Sequence, residues 1–173
     1  MRSFLLISLV LWGAVVASAS DSDYLMRCDT ASLTSYRLHL QARDAQLHGV
    51  MAVKLIDGSI KGVVVNDFGI KAFAFTISRD RKKVKLHDVM PMLNHWYIKR
   101  VLKSDLRLLF NATRSTLESS NKKTLITILD DGSIKMTNHK YNIVYTLGQA
   151  QGSLTQDFES NEPEIEFEDE STQ

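Results

Sequence analysis

Five histidines, one cysteine and a pair of adjacent aspartates are the residues of this chain that could do chemistry. His39, His48, His87, His95 and His139 show none of the His-x-x-x-His spacings that aim two imidazoles at one metal ion. Cys28 has no neighbour that would mark it as a nucleophile. Asp130-Asp131 stands directly before Gly132, a context that makes a turn in preference to an acid pair. There is no Gly-rich phosphate loop and no nucleophile elbow. The sequence thus supplies no catalytic set, no metal site and no cofactor motif, and the chain reads as non-enzymatic.

The ends of the chain narrow the setting. Arg2 precedes an apolar run from Phe4 to Val16, and Ala17-Ser18-Ala19 follows. This is the pattern of a secretory signal peptide over 1–19, cleaved near Ala19, and the run is too short to serve as a membrane span. A lone cysteine cannot make an internal disulfide, so the exported domain must rely on a hydrophobic core. Leu25-Met26-Arg27 before Cys28 is not a lipidation signal. Residues 159–173 carry seven acids and no base. Setting these aside leaves 13 acids, against 20 bases once Arg2 leaves with the signal, so the body is net +7 and the tail −7. An acidic run of this kind is usually solvated and disordered. The basic cluster Arg79 to Lys85 is short, and an exported protein seldom meets nucleic acid, so no nucleic-acid partner is expected.

Between the ends, the pattern is mostly of period two. After a leader (20–34) with a short helix expected around Thr30 to Thr34, strands are expected at Ser35–Arg43, Leu47–Ile56, Ile60–Val65, Ile70–Ser78 and Val84–Val89. Gly49 bends the second strand or marks a bulge. Asp57-Gly58 and Asp131-Gly132 are hairpin signals. Pro91 breaks the sheet pattern, and Asn94 can cap a helix over His95–Phe110. The apolar face of that helix includes Ile98, Val101, Leu102, Asp105, Leu108 and Leu109. A polar loop from Asn111 to Lys123 leads to strands at Thr124–Leu129, Ser133–Thr137 and Tyr141–Leu147, with a last one expected within Gln149–Phe158. The fold class is mainly β with an inserted helix (α+β). Roughly eight antiparallel strands form an incomplete barrel capped by one main helix, in one domain over 35–158. A curved sheet half closed around a helix can leave an apolar cavity between them. Its wall candidates are Met51, Val53, Val64, Phe73, Phe75, Leu102 and Leu109, residue types that would equally build an ordinary core. The third and fourth strands are apolar on both faces, which leaves their inward face open.

One turn stands out. Asn66-Asp67-Phe68-Gly69 joins the third and fourth strands, with a large aromatic where a soluble protein usually places a polar residue. Asn66, Asp67 and Gly69 are sufficient for the turn, so Phe68 has another role.

The stretches Leu47 to Lys54, Val63 to Phe75 and Lys103 to Phe110 resemble the LolA/LolB-type family of bacterial periplasmic lipoprotein carriers and outer-membrane receptors. The receptor branch joins two strands by an Asn-Pro-Leu-Gly turn whose exposed apolar residue touches the membrane, and Phe68 stands at that position. The resemblance implies a half-barrel whose cavity holds lipid or lipoprotein acyl chains, and a periplasmic location with outer-membrane association. It also implies a contact turn of Phe68, Asp67 and Gly69. This chain lacks the receptor's lipidated N-terminal cysteine, which favours a soluble form, and its acidic tail has no counterpart there. The competing expectation is a non-enzymatic assembly protein of the cell envelope with a filled core. It would engage a protein partner through the basic hairpin end and the acidic tail.

Overall fold

The period-two segments do become strands, and their order in space follows from two meanders. The computed structural model describes residues 23–42, 45–117 and 123–150. The expected signal peptide, the acidic tail and all but the start of the expected last strand lie outside these residues. The first meander is β1 (Thr34–Ala42), β2 (Ala45–Ile56), β3 (Ser59–Asn66), β4 (Lys71–Ile77) and β5 (Val84–His87). Helix α1 (Trp96–Asn111) follows, then a short helix α2 (Arg114–Leu117) within the expected loop. The second meander is β6 (Thr124–Ile128), β7 (Ile134–Asn138) and β8 (Ile143–Gln149). All eight form one antiparallel sheet in the order β5-β4-β3-β2-β1-β8-β7-β6.

The meanders meet where β8 pairs with β1, from Tyr36 opposite Gln149 to Ala42 opposite Ile143. Strands β5 and β6 remain the two edges, and the sheet is not closed into a barrel. Helix α1 connects one edge to the other across the apolar face.

The inward face is now assigned. Ile60 and Val64 of β3, and Phe73, Phe75 and Ile77 of β4, are buried together with Tyr36, Leu38, Met51, Val53, Met136, Tyr145 and Leu147. Val63, Val65 and Ala74 lie on the opposite face and are half-buried there. On the helix the buried side chains are Val101, Leu102, Asp105, Leu106, Leu109 and Phe110. Leu108, expected on this face, is exposed, because the buried stripe follows the 101–105–109 and 102–106–110 rows. Asn94 does not cap the helix. His95 is the N-cap residue and makes no side-chain cap bond, while Asn94 Oδ1 accepts from Lys99 Nζ at 2.8 Å.

The leader is packed against this core. Met26 is buried, Leu25 N–H donates to Ala112 O, and Tyr36 OH donates to Arg27 O and accepts from Arg27 N–H. Burial pushes that phenol up to about 12. The short helix expected near Thr30 is instead a turn, in which Asp29 Oδ1 accepts from Ala31 N–H.

Gly49 is neither a bend nor a bulge. The irregularity lies in the β3–β4 pairing, where Val64 and Val65 face Phe73 and Lys71 and Ala72 of β4 is left without a partner residue. A Cβ at position 49 would stand 2.0 Å from Val65 O and 2.8 Å from Asn66 Cα, so only glycine admits the backbone where β3 enters its turn. Gly49→Ala should destabilise the domain by about 1–3 kcal/mol in urea denaturation. Gly148→Ala, whose Cβ would meet only Ser133 Cβ at 4.0 Å, should be close to neutral.

Candidate functional site

Phe68 is held out into solvent by a turn that does not need it. Asn66 organises the backbone: its Oδ1 accepts from Phe68 N–H at 3.1 Å and from Ile70 N–H at 2.8 Å. Gly69 N–H donates to Asn66 O, Asn66 N–H to Ile70 O, and Asp67 N–H to His48 O on β2. Gly69 supplies the left-handed conformation, at φ +76°. Asp67 contributes through its backbone, so Asn66 and Gly69 are the turn-formers. With the turn thus satisfied, Phe68 is 87% exposed and Ile70 55%. Asp67, Phe68, Gly69 and Ile70 form one exposed tip.

The same end of the sheet carries further exposed apolar side chains. Met90 N–H bonds to Ala72 O, and Lys71 Nζ pairs with Asp88 at 2.7 Å, which brings the segment after β5 beside the base of the Phe68 turn. This segment leads through Met92, 67% exposed, to Trp96, 73% exposed, and Tyr97 at the start of α1. The direction of α1 is fixed at its other end, where Arg81 Nη1 donates to Phe110 O and Asn111 Nδ2 to Arg81 O. The Arg81 guanidinium also lies 3.5 Å from the centroid of the Tyr24 ring. One cation of the expected solvated hairpin end is therefore a strut that holds the helix C-terminus to the β4–β5 loop.

Two hollows flank the helix. One, of about 270 Å³, is lined by Trp96, Tyr97, Arg100, Val101, Lys140 and Tyr141, where the helix start meets the β7–β8 turn. Trp96 meets Tyr97 edge-on, and Lys140 Nζ lies 5.2 Å from the Tyr141 centroid. The other, of about 360 Å³, runs between α1 and β5 and is lined by Lys82, Val84, Arg100, Lys103, Ser104 and Arg107.

The seven wall candidates are brought together, but against one another. Met51, Val53, Val64, Phe73, Phe75, Leu102 and Leu109 belong to a single packed cluster and are almost fully buried. Phe75 contacts Phe73 and Phe110 through tilted rings at 6.3 and 5.6 Å. They are core in this conformation, and both hollows lie outside them.

A carboxylate sits within this core. Asp105 is 0% exposed, its Oδ1 accepting from Asn138 Nδ2 at 2.7 Å and its Oδ2 from Tyr145 OH at 2.8 Å. Burial raises the Asp105 pKa above the usual carboxylate value, and the two donors oppose the shift without cancelling it. The same burial and the facing carboxylate raise Tyr145 well above an ordinary phenol. The signals for this cluster were present in sequence: an acid in the apolar stripe of the helix, and Asn138 in register with Ile134 and Met136. Trp96 and Tyr97 were also legible, as aromatics in the first turn of the helix.

Among the described residues, no group of three or more His, Cys, Asp or Glu is placed to hold a metal, and no helix is long and apolar enough to cross a membrane. Comparison with protein-family models, with curated proteins and with solved structures finds no match to this chain.

Asp105→Ala strands two buried donors and should cost about 1–3 kcal/mol for each. Asp105→Asn keeps an acceptor and removes the titration. Because the folded pKa lies above the unfolded one, the protonated form favours the fold. That contribution is full below about pH 4 and is lost as pH rises through the folded value. The stability of the wild type relative to Asp105→Asn should therefore fall from pH 4 upward in denaturant titrations. A flat difference up to pH 8 overturns the assignment.

Proposed function

We propose that this chain is a non-enzymatic binding protein of the cell envelope, of the LolA/LolB-like half-barrel kind, that engages lipid or lipoprotein acyl chains and meets a membrane surface through Phe68. The observation that carries this reading is the exposure of Phe68 on a turn whose hydrogen bonds are complete without it. Exposed apolar side chains that gather into one patch mark contact sites. Met92, Trp96 and Tyr97 at the same end of the sheet extend the contact, and Arg100 and Lys140 border the aromatic hollow there. Aromatic rings beside cations are the chemistry of a membrane–water interface, where one end of the ring is apolar and the other wet.

The packed state of the seven wall candidates favours a second reading, that of an envelope assembly protein with a filled core. Both readings use the exposed surface for first contact, and they differ in what it meets. Trp12 and Trp96 are the only tryptophans, so a chain cleaved near Ala19 reports on the rim through Trp96 alone.

The wild type should sediment with phosphatidylethanolamine–phosphatidylglycerol vesicles and show a blue-shifted Trp96 emission on binding. Phe68→Asp should reduce vesicle binding several-fold and change stability by less than about 0.5 kcal/mol, as expected for an exposed site. Unchanged vesicle binding, or unfolding by this substitution, overturns the role of Phe68. Failure of the wild type to bind vesicles or a fluorescent acyl probe leaves the assembly reading in place.

A further inference from the structure

The basic hairpin end and the polar face of the helix are separate features in the sequence, and the fold joins them. Lys82 precedes β5, and Arg100, Lys103 and Arg107 recur along α1 at intervals of three and four residues. All four line one groove of about 360 Å³, floored by Val84 and Ser104. Among the described residues the one side-chain ion pair is Lys71–Asp88, at the opposite end of the sheet. The single acid of the β4–β5 loop, Asp80, is engaged by Ser78 Oγ and the Lys82 backbone N–H. The one acid of α1, Asp105, is buried on the core side. The groove therefore concentrates four cations; the Lys82 charge acts on Asp80, and no described carboxylate lies within ion-pair distance of any of the four.

We infer that this groove is the docking site of the chain's own acidic segment, Glu159 to Glu170. Charge complementarity is the first argument: the segment holds Glu159, Glu162, Glu164, Glu166, Glu168, Asp169 and Glu170 without a base. Spacing is the second. In an extended chain Glu164, Glu166 and Glu168 fall on one side at intervals of about 6.6 Å, with Ile165 and Phe167 on the other. Arg100, Lys103 and Arg107 rise along the helix by about 4.5 and 6 Å. Carboxylates on one side of the segment can therefore meet successive turns of the helix, while Ile165 or Phe167 faces the groove floor or solvent.

Reach is the third argument. Strand β8 ends at Gln149, and Ala150 N–H bonds to Ser35 O, so the chain leaves the sheet at the end that holds the β4–β5 loop. From β8 to β5 is five strand spacings, about 24 Å. The 13 residues from Gln151 to Pro163 span up to about 43 Å when extended. Each exposed ion pair is weak by itself. Tethering, however, presents the segment at an effective concentration in the millimolar range. The contact is accordingly sensitive to salt, since the screening length is about 10 Å at 0.1 M. This inference stands on the groove and is independent of Phe68.

Carbodiimide cross-linking of the full-length chain at low salt tests it, because the reagent joins a lysine to a carboxylate only in direct contact. Protein labelled with ¹⁵N is mixed with unlabelled protein so that links within and between copies differ in mass. Links from Lys82 and Lys103 to residues 159–170 should dominate over links from Lys135 and Lys140, arise within one copy, and fall several-fold at 0.5 M salt. Arg100→Glu/Arg107→Glu, which keeps both lysines and changes exposed positions only, should reduce those links several-fold without moving the melting temperature. Equal linking of all four lysines, absence of links, or links mainly between isotopically different copies overturns the inference. The last of these outcomes assigns the groove to a second copy.

Discussion

The buried carboxylate of Asp105 is the interaction on which the arrangement of the two meanders depends. Backbone pairing joins them only along β1 and β8, and two strands sharing one ladder can hinge about it. Asp105 extends from the helix that follows the first meander and takes hydrogen bonds from Asn138 of β7 and Tyr145 of β8 in the second. A carboxylate in an apolar core is costly unless both oxygens are satisfied. Only one placement of the helix over the second meander satisfies both. An apolar residue at 105 could pack as well or better, but it would not select that placement as sharply. The helix is fixed independently at its C-terminus, where Arg81 Nη1 donates to Phe110 O and Asn111 Nδ2 donates to Arg81 O, tying the β4–β5 loop to the last turn. These two attachments orient α1, and through it they set where the aromatic hollow and the basic groove lie.

Much of the local structure was legible because it depends on short-range chemistry. Asp57-Gly58 takes positive φ at both residues, as a two-residue hairpin requires, and Gly132 does so in the β6–β7 turn. The eight strands and the helix fall close to their expected places. What escaped the sequence depends on partners far away in the chain. The pairing of β8 with β1 has no local signature. The inward face of β3 was undecidable from Gly62-Val63-Val64-Val65, since both faces are apolar. Packing decides it, with the Gly62 position filled by the Phe75 ring. The role of Gly49 was misread because the atom that demands a glycine there is Val65 O, on the neighbouring strand. The candidate site divides in the same way. Phe68 was legible from turn chemistry alone, whereas the groove required the β4–β5 loop and the helix to be brought side by side.

The core itself constrains how an acyl chain could be held on the proposed reading. Five apolar side chains of α1, Val101, Leu102, Leu106, Leu109 and Phe110, are buried against the sheet. At about 1.5–3 kcal/mol each, lifting the helix off the sheet costs roughly 8–15 kcal/mol before the Asp105 bonds are counted. A sixteen-carbon chain gains about 0.8 kcal/mol per buried methylene, or roughly 12 kcal/mol in all. One chain is thus near break-even with the helix it would displace, and two chains exceed it. Contact must therefore begin outside the core, where exposed apolar groups already stand in water and nothing has to be displaced. The Phe68 tip and the Trp96–Tyr97 rim meet that condition. On the proposed reading a ligand with a single chain would remain at this surface, while one with several would proceed beneath the helix, and the helix would act as a threshold set by apolar area.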